Sequence, residues 1–158
     1  MEPESPRTNL ERIEFDLRVP APNGLRRGLT TGTCATAATQ AALRLWLGEP
    51  VPQEVKVALP EGNYFVRVPI ERVQKLVDGC TEASVIKDAG DDPDVTHSSR
   101  IRVHLRAEGN RIRFCAGIGV GTITKPGFSL PIGEPAINPI PRQMMLQAIS
   151  ETLLVYPQ

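Results

Sequence analysis

Aromatic side chains are scarce, at 4% of the 158 residues, which denies the chain a stacking platform for single-stranded nucleic acid. Neither sign of charge is in excess. The 18 Lys and Arg residues balance 18 Asp and Glu, so the basic field typical of nucleic-acid binders is missing. The 3 cysteines, Cys34, Cys80 and Cys115, lie far apart and none has CxxC spacing, which argues against a disulfide framework or a cysteine-rich zinc module. An odd, dispersed set reads as reduced and cytoplasmic. No apolar run approaches the roughly 20 residues of a membrane span. The opening Met1-Glu2-Pro3-Glu4-Ser5-Pro6 lacks the basic and apolar regions of a secretory signal. The expectation is one soluble cytoplasmic domain, with neither nucleic acid nor membrane as partner, large enough to bury a core without disulfides or a metal.

What is present is a series of short elements separated by glycine and proline. Residues 1–24 are polar and carry prolines at positions 3, 6, 20 and 22, which predicts a partly disordered leader. Order is expected from Leu25. An alanine-rich helix is predicted over Thr33 to Leu47, burying Ala35, Ala38, Ala42, Leu45 and Trp46 on one face and stopped by Gly48 and Pro50. Val55 to Leu59 and Tyr64 to Val68 alternate around a turn at 60–63 and predict a hairpin. An irregular stretch at 69–83 precedes a strand at Ala83 to Lys87. A second hairpin is predicted between Ile101–Arg106 and Arg111–Cys115. A final helix starts after Asn138-Pro139, with Met145, Ala148, Ile149, Thr152 and Leu153 on one face. The fold class expected is α+β: a mostly antiparallel sheet with helices packed on one face, a two-layer sandwich.

Four constellations carry chemical interest. Thr30-Thr31-Gly32-Thr33-Cys34 opens the first helix, where unpaired N–H groups and hydroxyls suit a phosphate or carboxylate. A threonine-capped helix start without a ligand is the competing reading, and Cys34 reads better as a buried small thiol than as a nucleophile. The segment Val85-Ile86-Lys87-Asp88-Ala89-Gly90-Asp91-Asp92-Pro93-Asp94 runs on to His97 and places four aspartates within seven positions. That is a ligand or catalytic loop at a strand end, or a rigid turn built from Asx motifs. Its spacing does not match an EF-hand. Gly117-Ile118-Gly119-Val120-Gly121-Thr122 is half a dinucleotide fingerprint, but Pro126 and Gly127 oppose the helix that should follow. Thr124 and Lys125 close it, and Lys125 is either a cation for an anionic substrate or a solvated lysine. In the predicted second hairpin Arg100, Arg102, His104, Arg106, Arg111 and Arg113 share one side. That stripe is a solvated face, an interface to acidic residues, or a docking surface for a polyanion.

Read together, these segments resemble the CbiD family of cobalamin biosynthesis, the cobalt-precorrin-5B C1-methyltransferases. The matching text is Leu25 to Ala35, Val85 to His97, Gly117 to Gly127, and Pro131 to Arg142, four motifs in order. The resemblance implies S-adenosylmethionine as methyl donor to C1 of a cobalt-bearing tetrapyrrole rich in carboxylates. Cobalt then enters only inside the substrate, with no metal site on the protein. It implies Asp88, Asp91, Asp94 and His97 as the clustered candidates for a base. Thr30, Thr31, Gly32, Thr33, Cys34, Gly117, Gly119, Gly121, Thr124, Lys125, Asn138 and Arg142 become the substrate- and cofactor-binding set. The chain departs from the family at Leu29 (usually tyrosine), Ser98 (usually glycine) and Ile118 (often acidic). It also lacks the family's C-terminal Rossmann-like domain, so residues 25–158 are expected to be an N-terminal α+β domain. Its partners would be the tetrapyrrole, the missing domain or a chain supplying it, and, across the surface so exposed, a second copy. A non-catalytic corrinoid- or anion-binding or assembly module is the alternative.

Overall fold

The computed structural model describes residues 12–157. The element order is β1 (Ile13–Glu14), α1 (Thr31–Trp46), β2 (Glu54–Ala58), β3 (Tyr64–Pro69), β4 (Arg72–Lys75), β5 (Thr81–Ile86), β6 (Arg100–Leu105) and α2 (Pro139–Val155). The strands form two three-stranded sheets, β1-β3-β2 and β4-β5-β6. Every strand pair is antiparallel except β1 with β3. The fold is α+β, and the expected sheet is present as two sheets.

The first hairpin follows directly from side-chain alternation. Val55 and Val57 turn inward on β2 and sit opposite Val68 and Val66 of β3. Pairs of β-branched residues facing one buried side hold such a register. In the other sheet β5 is central, and Thr81, Ala83 and Val85 are fully buried. β4 is a short polar strand, Arg72-Val73-Gln74-Lys75, where an irregular stretch was expected. The predicted second hairpin does not form. β6 pairs only with β5, and residues 111–115 are neither helix nor strand. Part of the stripe of like charges is thereby resolved, because Arg100, His104 and Arg106 each meet an acid. Arg100 contacts Glu71 at 2.6 Å, His104 contacts Glu82 at 2.6 Å, and Arg106 contacts Asp78 at 2.9 Å.

α1 is buried on nearly all sides and not on one face. Its buried set runs through Gly32–Cys34 and Thr36–Leu43. It packs on β2 and β3 of one sheet, on β4, β5 and β6 of the other, and on α2. Only small side chains allow so many close neighbours, and Cys34, Ala37, Ala38, Ala41 and Ala42 are all at 0% exposure. The threonines within it satisfy their hydroxyls locally, Thr36 donating to the Gly32 carbonyl and Thr39 to that of Ala35, each at 2.8 Å. Trp46, expected inside, is instead 39% exposed.

α2 begins after Asn138, with Pro139 in its first turn, as the sequence predicts. It lies chiefly on α1 rather than on a sheet. Met144, Met145 and Ala148 are buried, while Leu153 is 38% exposed.

The expected leader is corrected over its described part. Order does not wait for Leu25, because Ile13–Glu14 already pairs with β3 and the Arg12 side chain is only 1% exposed. The Arg12 guanidinium donates to both oxygens of Glu151 on α2, at 3.1 and 2.7 Å. The rest of the expected leader, residues 1–11, lies outside the described residues. Among the described residues no helix is long and apolar enough to cross a membrane.

Overpacking of α1 should be costly. Ala41→Leu is expected to destabilise by roughly 1–3 kcal/mol, whereas Leu153→Ala on the open side of α2 should shift stability by under about 0.5 kcal/mol. Urea unfolding midpoints of the two variants make the comparison.

Candidate functional site

The chain entering α1 and the loop leaving β5 lie against one another backbone to backbone. The Leu29 N–H donates to the Asp88 carbonyl at 2.6 Å, and the Asp91 N–H donates to the Arg26 carbonyl at 3.0 Å. Two glycines permit this approach. A Cβ on Gly28 would lie 2.0 Å from the Ala89 carbonyl carbon, and one on Gly90 would lie 2.3 Å from the Arg26 oxygen. Gly90 also sits at φ 64, a conformation that favours glycine. Ser98, noted above where the family usually has glycine, sits at φ 64 too.

The aspartates are turned toward protein donors. Asp88 accepts the Arg26 guanidinium at 2.7 and 3.0 Å and the Gly90 N–H at 2.9 Å. The Arg26 guanidinium beside it, with that N–H, holds its carboxyl below the usual range. Asp91 accepts the Arg26 N–H at 2.7 Å. Asp94 accepts the Lys87 ammonium on one oxygen at 2.6 Å. Its other oxygen takes the Thr96 N–H at 2.8 Å and the Thr96 hydroxyl at 2.6 Å. Lys87 first, then Thr96, push the Asp94 carboxyl far below 3.8. Carboxylates held in this way shape the loop and are poor bases. Asp92, absent from the expected set, is exposed and makes no side-chain hydrogen bond or ion pair among the described residues.

His97 is pinned in one tautomer. Its Nδ1 accepts the Ala89 N–H at 3.0 Å, so the ring proton of the neutral imidazole belongs on Nε2. The free lone pair a base needs is already used. His97 therefore offers a donor rather than an acceptor.

At the start of α1, Thr30 is the N-cap and its hydroxyl accepts the Thr33 N–H at 3.1 Å. Helix geometry leaves the N–H groups of Thr31 and Gly32 without intrahelical acceptors. Cys34 is fully buried, and burial pushes its thiol up to about 11, so the side chain belongs to the core. Lys87, which sequence reasoning did not single out as a site residue, is 3% exposed and reaches Thr31, Thr96 and Asp94 together. A signal for it was available, because along β5 the inward residues are Thr81, Ala83 and Val85, and Lys87 has the same parity.

The other two motifs join from the far side. Pro141 at the start of α2 packs on Gly32, where an added Cβ would lie 3.0 Å from its Cγ. Arg142 donates through Nε to the Ile137 carbonyl at 2.9 Å, through Nη2 to that of Pro135 at 2.8 Å, and through Nη1 to Glu134 at 3.0 Å. It is a clasp for the segment before α2. That segment in turn pairs with the glycine loop, the Ala136 N–H donating to Gly121 and the Ile123 N–H to Glu134. Gly117, Gly119, Gly121, Thr124, Lys125 and Asn138 are exposed. No hydrogen bond joins Gly117–Lys125 directly to α1 or to the aspartate loop among the described residues. No group of three or more His, Cys, Asp or Glu is placed to hold a metal ion among those residues.

Two outcomes follow for the backbone crossing and its acids. Gly28→Ala should cost about 2–4 kcal/mol, whereas Ser98→Gly should raise stability by up to about 1 kcal/mol through relief of a left-handed non-glycine residue. The depressed Asp94 contributes its stabilisation above the unfolded value, near pH 4, and loses it as pH falls through the folded value. Wild-type stability should therefore decline on acidification, and Asp94→Asn should flatten part of that slope. Urea midpoints at about pH 5 and about pH 3 show whether it does.

The chain resembles known proteins over most of its length. A protein-family model described as CbiD matches residues 19–156. A relative named cobalt-precorrin-5B C(1)-methyltransferase from Ralstonia nicotianae is 54% identical over 144 residues, covering 90% of this chain and 37% of the relative. One of the same name from Chromobacterium violaceum is 49% identical over 151 residues, 94% of this chain and 40% of the relative. The chain thus spans well under half the length of these relatives. The 1.9 Å crystal structure of cobalamin biosynthesis protein (cbiD) from Archaeoglobus fulgidus superposes with a TM-score of 0.60 at 31% identity, covering 84% of this chain and 40% of that one. With the family model spanning residues 19–156 and a 54% identical relative covering 90% of this chain, the chain belongs to the CbiD family.

Proposed function

We propose that this chain forms the tetrapyrrole-facing N-terminal part of a cobalt-precorrin-5B C1-methyltransferase, working with S-adenosylmethionine in anaerobic cobalamin biosynthesis in the cytoplasm. One observation carries the reading. Segments far apart in sequence, Thr31 and Thr96 65 residues apart and Gly32 beside Pro141, meet at the open end of a helix that is otherwise buried, in a chain whose relatives are named cobalt-precorrin-5B C(1)-methyltransferase.

The chemistry of that end suits a macrocycle fringed with carboxylates. Donors on exposed residues there are the Thr31 N–H and hydroxyl and the Nε2–H of His97. The methyl donor supplies an electrophilic carbon when bound. Gly117–Gly121 is exposed, and a stretch with neither helix nor strand follows it up to the bridge at Pro135. The donor and the remaining walls fall to the part that the longer relatives possess. Within this chain the reading is a binding wall that positions the ring. The engaged Asp88, Asp91, Asp94 and His97 favour that role over delivery of a base.

The test is direct. The chain is incubated with S-adenosylmethionine and cobalt-precorrin-5B, alone and with the C-terminal part of a relative. Mass spectrometry should show a product one methyl group heavier in the reconstituted mixture, and absorbance titration should show tetrapyrrole binding by the chain alone. No binding and no product would sink the proposal.

A further inference from the structure

We infer that Lys87 is a positioning residue that makes the Thr31 hydroxyl an outward hydrogen-bond donor to a carboxylate of the bound tetrapyrrole. The inference rests on the proposed function for the ligand and on geometry for the rest.

An ammonium group has three donors and no acceptor, and each Lys87 donor is accounted for. They reach Asp94 Oδ2 at 2.6 Å, Thr96 Oγ1 at 2.7 Å and Thr31 Oγ1 at 3.1 Å. Thr96 passes its own hydroxyl proton to Asp94 Oδ1 at 2.6 Å. That leaves one hydroxyl proton in the cluster undirected, that of Thr31. Its oxygen already accepts from Lys87. The nearest alternative acceptor in the cluster, Thr96 Oγ1, is 3.5 Å away, too long to hold it well. Thr31 is exposed at the first turn of α1, so its proton faces outward. Beneath it lies a cation that cannot accept a proton. The cluster therefore discriminates in favour of an acceptor, and an anionic one above all.

Lys87 also closes the loop through its backbone. Its N–H donates to the Ser99 carbonyl at 3.0 Å, and its carbonyl accepts the Ser98 N–H at 2.8 Å. One residue thus fixes both ends of the loop and ties it to α1. A lysine whose only role was to neutralise Asp94 would not need Thr31.

The probe is cobyrinic acid, a cobalt corrin with free side-chain carboxylates, titrated into the full chain. Lys87→Met and Thr31→Val should each weaken binding about tenfold, as loss of one charge-assisted hydrogen bond does. The double variant should be no weaker than either single one, since both remove the same donor. Thr31→Ser, which keeps the hydroxyl, should bind within about threefold of wild type. Additive losses in the double variant, or a Thr31→Ser chain as weak as Thr31→Val, would overturn the inference and leave the proposed function standing. A wild-type chain that binds no cobyrinic acid overturns the tetrapyrrole reading instead. The positioning role is then decided by amide exchange. Lys87→Met should speed exchange at Thr33, Thr96 and Ser98 but not at Val57 or Val66, and unchanged exchange at all five would dismiss it.

Discussion

The structure depends on a helix that has no free side. Because α1 is packed by strands from both sheets and by α2, its buried middle is dominated by small side chains, a run of alanine, threonine, glycine and cysteine joined only by Gln40 and Leu43. Such a helix has little room for functional side chains along its length. Its contact with solvent is concentrated at its ends, and the N-terminal end is the one with unpaired donors. The location of the site is thus a consequence of packing. Any polar chemistry has to be brought to the first turn by neighbouring segments, and the approach at 26–29, the loop after β5 and the start of α2 are the ones that come.

The approach of those loops sets strict steric terms. At Gly28 and Gly90 two backbones run closer than any Cβ allows, and the charges around them are matched in pairs: Arg26 with Asp88, Lys87 with Asp94, Arg142 with Glu134. Half-exposed pairs such as Arg26–Asp88 contribute little stability on their own. Their effect is to fix shape.

Much of this was legible in the sequence, for reasons that differ element by element. The β2–β3 hairpin and α2 were readable because strict alternation and a proline-initiated helix are local signals. β4 was missed because Arg72-Val73-Gln74-Lys75 has one apolar residue and little strand character beyond its pairing with β5. The false second hairpin came from a good turn, Glu108-Gly109-Asn110, whose downstream arm has no buried face to hold it. β1 depends on an edge of β3 some fifty residues away, which no local pattern reports. The motif segments were visible, yet Lys87 was not singled out and the division of the motif residues into shape and chemistry could not be read. It turns on which lone pairs are already occupied, and partners such as Ala89 N–H for His97 or Thr31 for Lys87 emerge only when the chain is folded.

That occupancy lets an electrically neutral chain present donors at one place, as the proposed anionic ligand requires. A cluster of aspartates at the mouth of such a site looks adverse, since like charges would meet. Here three of the four are turned back onto protein donors, and the acids shield the protein's own cations instead of opposing the ligand. Asp92, at the loop's exposed turn, is the exception. What the exposed residues around the α1 start present is then a set of donors: the Thr31 N–H, a Thr31 hydroxyl whose oxygen is already claimed, and a His97 imidazole fixed as a donor. The hydroxyl and the imidazole are held by partners within the folded chain, and preorganisation of that kind is where rigid sites gain affinity. The aspartates hold Arg26, Lys87 and Thr96 in place around them.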